Sequence, residues 1–102
     1  RTAEAQLDVA RRDAVDVITA AWDRVEALRA RVTATSADLV AATRAADEAR
    51  RRQDAGTATL VEVLDADRDR QSAEATHDQA LGDLAAARAD LRLLAGRREE
   101  VR

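Results

Sequence analysis

The chain reads as helix almost from end to end, and the one place where it does not decides what it can become. Residues 50–66, Arg-Arg-Arg-Gln-Asp-Ala-Gly-Thr-Ala-Thr-Leu-Val-Glu-Val-Leu-Asp-Ala, hold a helix-stop signal followed at once by a helix-start signal. Gly56 is the residue type that takes the left-handed conformation just past a helix C-terminus, where a Cβ is costly. Shortly after it, Thr59-Leu60-Val61-Glu62 has the pattern of a capping box. The Thr hydroxyl can accept from the Glu62 amide while the carboxylate reaches back to the amide of Thr59. The charges agree: Arg50, Arg51 and Arg52 sit at the negative pole of the ending helix, and Glu62 and Asp65 at the positive pole of the next. A turn confined to about residues 55–58 makes the flanking helices antiparallel neighbours.

Composition narrows the class. At 102 residues this is at most one domain. Hydrophobic residues make up 46%, but many are Ala, Trp22 is the sole aromatic, and Pro, Cys, Met, Phe and Tyr are absent. That supply is poor for a globular core and typical of long helices and coiled coils. The net charge of -3, with Arg and acids interleaved, speaks against a nucleic-acid surface, which is basic on one side. Absence of Cys excludes disulfides and thiolate metal sites. No apolar run approaches the roughly 20 residues of a membrane-spanning helix. The start at Arg1, without Met or signal peptide, suggests a piece of a longer chain.

Both arms carry a seven-residue beat. In the first, about residues 2–54, one row is Leu7, Ala14, Ala21, Leu28, Thr35, Ala42 and Ala49, and its companion is Ile18, Val25, Val32, Leu39 and Ala46. This is the seam of a coiled coil. In the second, about residues 59–97, the rows are Ala66, Ala73, Ala80, Ala87, Leu94 and Val63, Arg70, His77, Leu84, Leu91. The weak helix formers Thr33-Ala34-Thr35-Ser36 do not interrupt the beat, and Gly82 costs about 1 kcal/mol within a helix without ending it. Gly96 marks the expected end.

Folding the chain about Gly56 sets residues equally far from the tip against each other. Leu91 falls near Trp22 and Val25, Leu84 near Leu28 and Val32, His77 near Thr35 and Ser36, and Arg70 near Ala42 and Thr43. The polar layers of the two arms thus meet, and Trp22 is expected in the core opposite Leu91. A seam so rich in Ala buries little apolar surface, so the hairpin is expected to be marginal alone and to pack against further helices. The fold expected is all-α: one long antiparallel helical hairpin of coiled-coil type.

The run Gln53-Asp54-Ala55-Gly56, then Val63-Leu64-Asp65-Ala66, then Ala73, Ala80, Leu91 and Gly96 resembles the C-terminal hairpin of TolC-like outer-membrane efflux proteins. Ala21-Trp22 with Val25, Val32, Leu39 and Ala46 resembles the helix that descends to its tip. The resemblance covers about residues 10–97. It implies a piece of a periplasmic α-barrel in a homotrimeric exporter or type I secretion channel. The hairpin tip would meet a periplasmic adaptor and, through it, an inner-membrane pump. Carried onto this chain, Ala55, Gly56 and Thr57 would be the adaptor-facing tip, and Asp65 would hold the position of an acid in the network that closes the tunnel entrance in some members. Gln53 stands where the family usually has Tyr, and Ala58 where gated members place Arg, so Asp65 lacks that basic partner.

Reaction chemistry finds no support in the sequence. His77 is a lone histidine without a positioned partner, and Glu74 with His77 is a single Glu-x-x-His copy where a bundle metal site needs two. The Asp–Arg pairs at helical spacing are solvated i,i+4 support. No enzyme, cofactor or metal is expected. The other reading is the helical hairpin of a periplasmic adaptor, but Arg52 to Thr59 does not supply the Arg, Leu, Ser pattern expected of an adaptor tip.

Overall fold

The computed structural model describes residues 2–100, with side chains described for residues 2–97. It has two helices, α1 (Thr2–Asp54) and α2 (Leu60–Glu100), and no strand among the described residues. The fold class is all-α, a helical hairpin, as the sequence predicts.

The reversal is built as the stop and start signals require. Gly56 has φ of 80°, and no other described residue has a positive φ. The Thr57 amide donates to the Arg52 carbonyl at 2.7 Å and the Gly56 amide to that of Gln53 at 2.9 Å. These two bonds form a Schellman motif, which satisfies carbonyls that the ending helix would leave unpaired. Across the turn the capping box forms in both directions: Thr59 N donates to Glu62 Oε2 at 3.0 Å, and Glu62 N donates to Thr59 Oγ1 at 3.2 Å. Val63 N then donates to Thr59 O at 3.3 Å, the first bond of α2.

Contacts divide the chain into two units, Ala30–Gly82 and Arg1–Arg29 with Asp83–Arg102. In the unit that contains the turn, Thr35, Ala46, Val63 and Ala80 are buried, with Val32, Leu39, Ala42, Ala66, Ala73 and His77 half-buried. These are the residues of the two seven-residue rows. Thr35 and His77 meet, with Thr35 Oγ1 3.0 Å from His77 Nδ1. The same hydroxyl lies 3.0 Å from Arg31 O and 3.1 Å from Val32 O. An Nδ1–H tautomer lets it donate to the backbone while accepting from the ring. This back-bonding satisfies the hydroxyl inside the helix, and α1 runs unbroken through Thr33-Ala34-Thr35-Ser36.

The second pairing across this seam is charged. Arg50 Nη2 donates to Asp67 Oδ1 at 2.7 Å, and Arg70, half-buried in the core row, lies 3.1 Å from Glu74 and 3.8 Å from Asp67. Surface ion pairs contribute about 0–1 kcal/mol each, so this network orients side chains more than it stabilises the fold.

In the other unit Val25, Leu28, Leu84 and Ala87 are buried, and Ile18, Ala21, Leu91 and Leu94 are half-buried. Three outcomes here differ from expectation. Trp22 is 54% exposed and lies outside the core. Ala21 takes the seam position, and a step of one residue turns the next side chain about 100° away. Leu7 and Ala14, the first residues of their row, are exposed. They border an open groove of about 950 Å³ whose walls include Val17 and Ile18 of α1, with only Leu94 and Arg97 contributed by α2. Finally, α2 continues through Gly96 to Glu100. Gly96 is followed by Arg-Arg-Glu-Glu, all good helix formers, and not by a cap.

At Gly82 an added Cβ meets nothing within 4 Å. Gly82→Ala should therefore stabilise the hairpin by about 0.5–1 kcal/mol, the helix-interior difference between the two residues. A thermal melt followed by circular dichroism should show Tm higher by about 4 °C; an unchanged or lower Tm would show that α2 is not regular helix there.

Candidate functional site

The tip is the part of the chain whose local chemistry is most specified. Arg51 and Arg52 close α1, the Schellman turn reverses the backbone, and the capping box opens α2 within six residues of Asp54. Ala55, Gly56 and Thr57, the three residues that the family resemblance puts at the tip, are all exposed. Thr57 also has an internal role, since its hydroxyl donates to Arg52 O at 3.1 Å. The glycine is required by its φ and not by crowding, because a Cβ there meets nothing within 4 Å.

Behind the turn, α2 begins with an apolar patch that faces outward. Leu60, Val61 and Leu64 are 60%, 65% and 54% exposed. Leu60 and Leu64 stand one turn apart, and Val61 lies beside them. Only Val63 of this first stretch turns inward, at 6% exposure. The seven-residue rows do not single out this patch, though the sequence carries a signal for it. Four large apolar residues fall within five positions, and a seam with seven-residue spacing takes just one of them.

Asp65 is exposed and has no ion pair or hydrogen bond among the described residues. Arg68, three residues on, is likewise exposed. Arg50, Arg51 and Arg52 each find a partner close at hand: Asp67, Glu48 at 3.6 Å, and the Thr57 carbonyl at 3.2 Å. They form a solvated, locally neutralised helix end.

Elsewhere, Thr35, Asp38, Asp69, Ser72, Ala73 and Thr76 line a small polar recess of about 220 Å³ beside the Thr35–His77 pair. Among the described residues, no group of three or more His, Cys, Asp or Glu side chains could hold a metal ion. No described helix is long and apolar enough to cross a membrane.

The described residues thus present a tight turn, a two-helix seam and apolar residues that face outward. The outer membrane efflux protein family matches residues 1–97. The chain belongs to that family and is part of an outer-membrane efflux channel component. Neither a curated protein nor a solved structure matches it.

Proposed function

We propose that this hairpin forms part of the wall of the periplasmic α-helical tunnel of a trimeric exporter, and that its tip docks a periplasmic adaptor that couples it to an inner-membrane pump. Membership of the efflux protein family supports the wall. So does the surface: the seam uses one face of each helix, while Ala20, Ala27, Ala34 and Ala41 recur every seven residues on the exposed side of α1. Small side chains there admit close approach by further helices. The chain contributes no reaction; it shapes a passage.

The observation that carries the docking role is the exposed Leu60, Val61 and Leu64 patch set directly against a rigidly bonded turn. A soluble surface gains nothing from three adjacent large apolar side chains, whereas an interface does. Asp65, exposed beside them in the second turn of α2, is assigned to the acidic N-terminal part of that helix, with an entrance role open only to a basic group from another protomer or hairpin.

Val61→Glu separates docking from folding. Val61 is the second helical residue of α2, where an acid complements the helix dipole, so helix content should be unchanged. Capture of the chain by its immobilised cognate adaptor should fall by at least about ten-fold, the effect of placing an unpaired charge in an apolar contact. Undiminished capture would remove the tip from the interface.

A further inference from the structure

Arg52 has a role that helix-end electrostatics does not account for. In a Schellman turn the third residue from the helix end and the third residue beyond that end frequently make a hydrophobic contact. Here those positions are Arg52 and Thr57, and a polar clasp replaces that contact. The Thr57 amide and hydroxyl both donate to the Arg52 carbonyl, at 2.7 and 3.1 Å. In return Arg52 Nη2 donates to the Thr57 carbonyl at 3.2 Å. Each residue thus bonds the other's backbone, and the two successive peptides that flank Thr57 are each tied to Arg52.

The neighbouring arginines do not share this geometry. Arg50 reaches across to Asp67 on α2, and Arg51 reaches back to Glu48 on its own helix. Arg52 alone of the three bonds the turn itself. We infer that Arg52 is a positioning residue for partner docking. It holds the Ala55-Gly56-Thr57 backbone in one conformation before the partner arrives, so less ordering is left to the association step. The inference rests on the docking reading of the tip and adds to it the residue that pre-shapes the surface.

The test pairs binding with an observation on the free chain. Arg52→Ala should raise the exchange rates of the Gly56 and Thr57 amides about three- to ten-fold and weaken binding to the immobilised adaptor by a similar factor. Its thermal midpoint should stay within about 2 °C, because an exposed hydrogen bond contributes little to the whole fold. Arg52→Lys, which keeps a cationic donor near the Thr57 carbonyl, should recover most of both losses. Weaker binding with unaltered amide exchange overturns the inference, since Arg52 then touches the partner directly. Unaltered binding by Arg52→Ala also overturns it and leaves the docking reading in place. Absence of binding by the parent chain overturns both.

Discussion

Gly56→Val is expected to destabilise the hairpin by about 2–3 kcal/mol and to weaken adaptor capture together with it. Gly56 has φ of 80°, where an L-residue brings its Cβ against its own backbone. That costs about 1–2 kcal/mol, and a β-branched side chain adds to it. Crowding by neighbours plays no part, because nothing lies within 4 Å of the added Cβ. The effect should therefore follow backbone tolerance and not side-chain size. Asn, which visits the left-handed region, should be milder than Ala, and Ala milder than Val. Urea titrations of the three variants give this order directly. An order that follows volume, with Asn as damaging as Val, would show that the turn is limited by space and not by φ.

Leu84→Ala is expected to cost about 2–3 kcal/mol, the lower part of the range for buried Leu truncation. The lower part applies because the hairpin is thin and its side chains can relax toward the gap. Even so the loss is severe. Among the described residues the buried apolar set is Val25, Leu28, Ala46, Val63, Ala80, Leu84 and Ala87, and no large side chain is fully enclosed. A core of that size supplies only a few kcal/mol. Leu84→Ala should thus lower Tm by about 8 °C or more, or leave the isolated chain largely unfolded at room temperature. Leu93, 64% exposed, is the control: Leu93→Ala should change Tm by no more than about 2 °C. Equal effects at the two positions would contradict the seam.

The seam and the turn were both legible in the sequence, for different reasons. The turn is local chemistry. Gly56, Thr59 and Glu62 specify a stop and a start within seven residues, and every bond they imply forms. The seam is periodic, so the two rows of each helix name its buried face, and folding about Gly56 brings Thr35 to His77. Size misled where angle decided. Trp22 is the largest apolar residue, yet it stands one position past the seam and is exposed. Gly96 misled because a glycine ends a helix only when the residues after it support the stop. Gly56 has a cap three residues on, whereas Gly96 leads into helix formers.

At the candidate site the position of the turn was legible through Gly56. The contacts that shape the site were not. Arg50 to Asp67 spans 17 residues across a reversal, and the Arg52–Thr57 clasp depends on the path of the two peptides that flank Thr57. Neither can be read from periodicity or propensity, because both require the turn's geometry first. The outward patch of Leu60, Val61 and Leu64 could have been read by subtraction, as the apolar residues that the seam leaves over.

The hairpin, its seam and its tip all depend on the chain doubling back at residue 56. Spin labels at Ser36→Cys and Asp78→Cys, both exposed and next to the Thr35–His77 contact, measure that reversal in a chain with no native cysteine. Pulsed dipolar spectroscopy should give one narrow distance of about 10–25 Å, the width of two packed helices plus the label arms. An uninterrupted helix over the same 42-residue separation would place the labels about 63 Å apart, and a distance near that value would contradict the hairpin.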